Sequence, residues 1–315
     1  MENFNIKDYL NTNPLLLAPM AGYTDIGFRT LCRKYGAGIV FTEMVSVKAI
    51  LHDSEKTKLL METNQSEHPI ALQLFGHDPK DFEEVLKLDL VKDFDIIDIN
   101  MGCPAPKIVK NGEGSALLEN ISLAEEIIRT CVKNTTKPVS VKFRSGVSDE
   151  NLVYINFAKM CERAGASFIT FHPRTRNQGY AGHSDWEKLK EVTKAVGVPV
   201  IASGDCLTYF DFKYLMEECG VSGVMIGRGA VGRPEIFEEI KCNKTIDLSL
   251  KEKIEQIKEH SALLLKNNAY TSVSMEMKKH ILAYVKNLDN STKLRIDICK
   301  LNTIDEMIKY LEDKT

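Results

Sequence analysis

Eight short apolar runs alternate with helical stretches along the first 240 residues, and this alternation restricts the fold more than any other feature of the chain. The runs are 15–18, 39–42, 70–74, 95–99, 138–143, 167–171, 198–202 and 223–226. Each has the length of a buried strand and stops at turn-forming residues. Helical spacing is read over 25–35, 46–61, 121–134, 149–164 and 208–219, with a short helix from 233. Asp78-Pro79 opens another helix, with a cap and a proline at its first position. Ser184-Asp185 reads as the cap of the helix after the sixth run. Strict strand–helix alternation requires parallel strands joined by crossover helices. Eight such units predict an α/β fold, the (β/α)8 TIM barrel. An open doubly wound sheet is the second choice, because the first turn, Ala18-Pro19-Met20-Ala21-Gly22, lacks the Gly-x-Gly-x-x-Gly spacing.

The pattern changes after Lys244. Residues 250–312 carry helical spacing only, as in Ile254, Ile257, Leu263 and Leu264 and again in Met277, Ile281, Leu282 and Val285. We therefore expect a barrel over 1–244 and a small all-helical domain over 245–315. The charge divides along the same line. Residues 241–315 hold 14 Lys+Arg against 11 Asp+Glu, while residues 1–240 hold 27 against 33. A basic tail on an acidic body suits a nucleic-acid partner, although a solvated helical face has the same composition. No window reaches the 18 or more apolar residues of a membrane span. The N-terminus has no signal pattern, so a cytoplasmic protein is expected. None of the eight cysteines forms a Cys-x-x-Cys pair or a cysteine–histidine cluster at metal spacing, which argues against disulfides and a structural metal.

In a barrel of this kind the reactive groups stand at the C-terminal ends of the strands. Pro19, Met20 and Ala21 follow the first strand and Glu43 the second; Gln73 ends the third. Asn100 and Cys103 follow the fourth, Lys142 and Arg144 end the fifth, and His172, Arg174 and Arg176 follow the sixth. Ser203-Gly204-Asp205 and Gly227-Arg228 follow the seventh and eighth. Cys103 sits between Gly102 and Pro104 on a loop where neither helix nor strand continues, an unusual place for a cysteine that merely fills a core. Gly204 and Gly227 let successive backbone N–H groups approach a phosphate, and Arg228 adds a charged donor. Gln73 offers donor and acceptor to a ring edge, and Lys142 offers positive charge where a reduced flavin is negative.

These segments resemble the tRNA-dihydrouridine synthases, flavin enzymes that reduce particular uridines of tRNA. The matching stretches are 18–25 (APMAGYTD), 73–76 (QLFG), 98–107 (DINMGCPAPK), 141–144 (VKFR), 172–176 (HPRTR) and 227–230 (GRGA), with a Lys-His-Ile-Leu-Ala-Tyr helix at 279–284 resembling the bacterial branch. The resemblance implies FMN held by Pro19, Met20, Ala21, Gln73, Lys142, His172, Ser203, Gly204, Asp205, Gly227 and Arg228, with NADPH or NADH as reductant. Ser203 stands where the family usually has Asn. The resemblance also implies hydride transfer from reduced FMN to uracil C6 and a proton from Cys103 to C5; a thiol with an ordinary pKa of about 8.5 carries that proton near neutral pH. Asn100, Arg144, Arg174 and Arg176 are expected to face the tRNA and its uracil. Neither a metal nor a membrane partner is expected, and the chain is expected to be a monomer. Two rival readings stay open: another flavin barrel acting on a small molecule, such as a dihydropyrimidine or dihydroorotate dehydrogenase, and a non-catalytic RNA-binding module.

Overall fold

The computed structural model describes residues 5–266 and 270–315. Residues 1–4 of the polar N-terminal stretch and 267–269 of the expected helical tail lie outside the described residues. Among the described residues nine strands form one parallel sheet: β1 (Leu15–Leu17), β2 (Val40–Phe41), β3 (Val45–Ser46), β4 (Ile70–Phe75), β5 (Ile96–Met101), β6 (Val139–Arg144), β7 (Phe168–His172), β8 (Val200–Ser203) and β9 (Gly223–Ile226). Their order is β1-β9-β8-β7-β6-β5-β4-β2, with β3 a second short partner of β4. Leu16 pairs in parallel with Ile39 beside β2, and Leu17 N–H donates to Ile39 O at 2.9 Å, so the first and second strands meet and the sheet curls into a barrel.

The two-residue period of the strands sorts side chains into two layers. Leu15, Leu17, Leu72, Ile97, Ile99 and Val141 point outward and pack with helix residues such as Phe28, Val85 and Ile128. Leu16, Ala71, Ile96, Phe168, Ile201 and Met225 fill the lower interior. On the same inward faces, further along each strand, stand Gln73, Asp98, Asn100, Ser140, Lys142, Thr170 and His172. The interior is therefore apolar at the bottom and polar toward the C-terminal ends. The helix Ile6–Thr12, which the apolar pattern did not reveal, covers the lower interior with Ile6 and Leu10.

Several helices follow the sequence pattern. Asp25 caps Ile26–Lys34, Asp78 caps Pro79–Leu86 with proline in the first turn, and the expected 121–134 helix runs Ile121–Asn134. Others differ. The stretch 46–61 divides into Val47–Leu51 and Glu55–Leu60, because Asp53 takes a left-handed φ of 54° between them. The helix expected at 149–164 begins only at Tyr154. Ser184-Asp185 does not cap its helix, which starts at Glu187 behind Trp186 without a side-chain cap.

Among the described residues the C-terminal segment forms four helices, Leu250–Leu265, Tyr270–Tyr284, Ser291–Lys300 and Ile304–Glu312. Ser249 with Glu252 and Thr303 with Glu306 close capping boxes on the first and last. Ile254, Ile257, Met277, Ile281, Ile298 and Met307 make a second apolar cluster, which also takes in Leu31 from the barrel helix. The joint to the barrel is polar as well. The Asp25 carboxylate lies between two buried histidines, 2.9 Å from His260 Nε2 and 2.8 Å from His280 Nε2. Lys253 pairs with Glu235 and donates to Gly232 O at 3.1 Å.

Candidate active site

Cys103 stands just past the end of β5, half-buried, on a loop that is tied down from several directions. Asn100 Oδ1 accepts the Cys103 N–H at 2.9 Å and the Gly102 N–H at 3.2 Å. Arg144 Nε donates to Gly102 O at 3.0 Å. The Cys103 carbonyl accepts Ser115 N–H at 3.1 Å. Gly114 has φ +60° and lies so close to the loop that a Cβ there would meet Cys103 O at 2.9 Å, so this position requires glycine on both counts.

Beneath the loop, Asn100 Nδ2 donates to Gln73 Oε1 at 2.9 Å, and Gln73 Nε2 donates to Asp98 Oδ2 at 2.7 Å. Ser140 Oγ donates to Asp98 Oδ1 at 2.6 Å. Burial pushes the Asp98 carboxyl up to about 6, against these hydrogen bonds and the charge of Lys142. Gln73 thus spends its carbonyl oxygen and one N–H on the protein, leaving one N–H and a lone pair for a ligand.

Beside this network lies a group of cations and one histidine. Burial first, then the charge of Arg144, brings Lys142 down to about 8, while Asp98 and Cys103 act in the opposite sense. Burial, together with Lys142, Arg144, Arg174 and Arg228, holds His172 well below the usual histidine range. Arg174 Nη1 lies 3.3 Å from His172 Nε2, and an arginine can only donate. Neutral His172 therefore accepts on Nε2 and carries its proton on Nδ1. Gly204 has φ +119°, and a Cβ there would strike Ser184 Oγ and the His172 ring. Asp205 follows with φ +62°, so two successive left-handed residues shape this turn.

Arg174, expected to face the tRNA, is buried in this structure. It is 2% exposed, and its guanidinium donates to Asp205 Oδ2 at 2.6 Å, Gly182 O at 2.7 Å and Ser184 Oγ at 3.0 Å. In this structure its donors are spent on the protein. The Asp205 carboxylate, spent on Arg174 and on Ser184 N–H at 2.7 Å, leaves only backbone for a phosphate. Arg144 is also buried, donating to Thr175 O and Gly179 O, so it supports the loops. Arg176 stays partly open and pairs with Glu119 at 2.6 Å. Arg228 is exposed and lies 4.5 Å from the centre of the Tyr180 ring. Pro19, Met20 and Ala21 form the turn after β1, where Met20 Sδ comes within 3.6 Å of the Cβ position of Gly227. Ser203, buried at the end of β8, has no side-chain hydrogen bond among the described residues.

Sequence reasoning did not single out Asp98, Tyr180 or Ser184 as site residues. Asp98 carried a signal, since it interrupts an apolar strand two residues before Asn100 on the same face. Glu43 stood in the strand-end set but received no role. It accepts Gly22 N–H at 2.6 Å, and burial raises its pKa. A cavity of about 550 Å³ beside the mouth is lined by Glu43, Asp25, Lys56, Leu59, Val273 and Glu276, between the barrel and the C-terminal helices. The ammonium of Lys142 has no hydrogen-bond partner among the described residues, and the His172 Nδ1–H likewise has none.

The model of the family Dihydrouridine synthase (Dus) matches residues 16–314. The chain is 34% identical over 305 residues to a probable tRNA-dihydrouridine synthase of Aquifex aeolicus, covering 95% of each chain. It is 39% identical over 240 residues to tRNA-dihydrouridine synthase B of Pseudomonas aeruginosa, covering 76% of this chain and 72% of that protein. Among solved structures, a variant of NCR from Zymomonas mobilis superposes with a TM-score of 0.56 at 18% identity, covering 77% of this chain and 91% of that one, a likeness of fold. The chain belongs to the dihydrouridine synthase family.

Proposed function

We propose that this member of the dihydrouridine synthase family reduces uridines of tRNA to 5,6-dihydrouridine, with FMN as cofactor and NADPH or NADH as the source of electrons. The observation that carries the reading is Cys103, a free thiol tied into the strand-end mouth, with the partnerless Lys142 ammonium on the adjoining strand. The donor set fits FMN. The backbone turns at Ser203-Gly204-Asp205 and Gly227, with the exposed Arg228, suit its phosphate; Lys142, the spare N–H of Gln73 and the His172 Nδ1–H suit the ring; Pro19, Met20 and Ala21 form an adjoining wall.

Held by these residues and reduced by NAD(P)H, FMN would supply a hydride for uracil C6. The residues of this chain do the rest. Lys142 places positive charge against the electron-rich ring. The target uridine leaves its stack to enter the mouth, because a flavin cannot reach a stacked base. Cys103 gives its Sγ proton to C5, which saturates the C5–C6 bond, and regains a proton from solvent. Asn100 and Arg144 hold the Cys103 loop. Residues 245–315 form a helical tRNA-binding domain on the barrel of 1–244, and the protein acts as a cytoplasmic monomer. Among the described residues no helix is long and apolar enough to cross a membrane.

Mass-spectrometric mapping of dihydrouridine in tRNA from a strain lacking this protein tests the activity. At least one position should lose the modification and regain it on complementation; an unchanged map overturns the reading. The purified chain should carry FMN, or take it up. A colourless preparation that binds no added FMN overturns the cofactor.

A further inference from the structure

One carboxylate dictates how two amides are turned inside the barrel. Asp98 is fully buried, and when ionised it can only accept hydrogen bonds. One oxygen takes Ser140 Oγ–H at 2.6 Å and the other takes Gln73 Nε2–H at 2.7 Å. Gln73 must therefore turn its nitrogen to Asp98 and its oxygen to Asn100. That oxygen can only accept, so Asn100 turns its nitrogen toward it, at 2.9 Å. Asn100 is left presenting oxygen to the N–H groups of Gly102 and Cys103. Reversing either amide sets oxygen against oxygen in a site where an unmet polar group is costly. The donor–acceptor order is thus transmitted from β6 through β5 and β4, and back to the loop that carries the thiol.

We propose that Asp98 is a positioning residue for Cys103: through Gln73 and Asn100 it fixes acceptor polarity beneath the loop and so aims the thiol. This rests on the reading of Cys103 as proton donor. Two consequences follow from the geometry. Gln73 serves the flavin side and the cysteine side at once, because the orientation that Asp98 imposes also places its second N–H. Asn100 acts on the loop rather than on the uracil alone, since its oxygen accepts two loop N–H groups.

The test uses the full-length, FMN-loaded protein. Asn100→Asp keeps acceptors for the loop but cannot donate to Gln73, so Gln73 faces carboxylates at both ends and cannot satisfy both. Asp98→Asn combined with Asn100→Asp reverses the order. The amide now at position 98 donates to Gln73 Oε1, Gln73 Nε2 donates to the carboxylate now at position 100, and every group is again partnered. Single-turnover uridine reduction by pre-reduced Asn100→Asp should fall by about 10²-fold, the usual cost of a misplaced reacting group. Flavin reduction by NAD(P)H needs no proton from Cys103 and should fall much less than uridine reduction. The double variant should recover most of the loss. In parallel, iodoacetamide labelling of the Cys103 peptide and amide exchange at 102–103 should rise in Asn100→Asp and return in the double variant.

A double variant no better than Asn100→Asp, or an Asn100→Asp protein that behaves as wild type, overturns the proposal. If Asn100→Asp does not fold, the double variant must fold, and its failure is equally decisive against the proposal. If the wild type forms no dihydrouridine, the activity reading fails separately, while the labelling and exchange measurements still decide the role of Asp98.

Discussion

Arg174 Nη2 lies 2.6 Å from Asp205 Oδ2, inside the loops above β7 and β8, and the same guanidinium reaches His172 Nε2 at 3.3 Å. One buried cation therefore sets both the tautomer of the histidine and the shape of the left-handed 204–205 turn.

Arg174→Ala should weaken FMN retention and leave tRNA affinity nearly unchanged. The variant takes the closest charged partner from Asp205, which keeps Ser184 N–H at 2.7 Å and Arg228 at 3.5 Å, and leaves Ser184 Oγ without a donor, at a cost of about 1–3 kcal/mol for an unmet group. Calorimetric Tm and an FMN titration should both fall short of wild type. Against these, a drop in tRNA affinity at constant flavin occupancy would return Arg174 to the RNA surface.

Cys103→Ala should bind FMN and oxidise NADPH with an artificial acceptor as wild type does, while uridine reduction in single turnover falls by about 10²–10⁴-fold, the usual loss of a general acid. Cys103→Ser, a poorer acid of similar size, should also be slow. Uridine reduction by Cys103→Ala at the wild-type rate would mean that the proton comes from elsewhere.

FMN affinity should depend on pH through Lys142, whose pKa burial lowers to about 8. Below that value Lys142 is charged and attracts the ring; above it the attraction is lost, so the FMN dissociation constant should rise through about pH 8. Lys142→Arg, charged throughout, should give a flat profile across about pH 6.5–9.5. The sign for stability is opposite. Between about 8 and the unfolded value near 10.4, the unfolded chain holds the proton that the native chain has released, so flavin-free protein should gain stability with rising pH. A pH-independent FMN titration of the wild type would remove Lys142 from the ring site.

Lys286, Lys293 and Arg295 are exposed on the C-terminal helical segment and have no ion pair among the described residues. Reversing all three to Glu should weaken tRNA binding and lower the slope of log affinity against log salt by about 0.7–0.9 for each phosphate that the variant no longer engages. An unchanged slope would place the tRNA on another face.

Asp25→Ala should loosen the joint between the barrel and the C-terminal helices. Asp25 caps Ile26–Lys34 through Phe28 N–H at 2.9 Å and receives His260. Although burial opposes it, the two histidines hold its carboxyl well below the usual range. Urea unfolding should show a loss of about 2–5 kcal/mol. In the wild type this contribution should persist above about pH 4 and fade only in stronger acid. A variant as stable as wild type would show that the apolar cluster around Leu31 carries the joint alone.

Local periodicity determined the barrel. Eight apolar runs with helical spacing between them need no partner to be read, because alternation by two and by 3.6 is a property of neighbouring residues. The same runs put Gln73, Asn100, Lys142 and His172 at or just past the strand ends, and Gly102-Cys103-Pro104 marked the loop by chain stiffness alone. What failed to show were features that depend on residues distant along the chain. Arg174 reads as a surface cation until Asp205, 31 residues later, is folded onto it. Ser184 reads as a helix cap, but its N–H and hydroxyl are claimed by Asp205 and Arg174. Asp25 opens the stretch read as a helix over 25–35, yet His260 and His280, both far along the chain, make it the joint as well. The direction of the Gln73 and Asn100 amides depends on Asp98, because an amide has two nearly isosteric ends and only a neighbouring acceptor distinguishes them. Short-range periodicity thus decides which elements form and which residues face inward. Burial, charge pairing and hydrogen-bond direction are set by groups that meet only in the folded chain, and for these the tertiary structure alone is decisive.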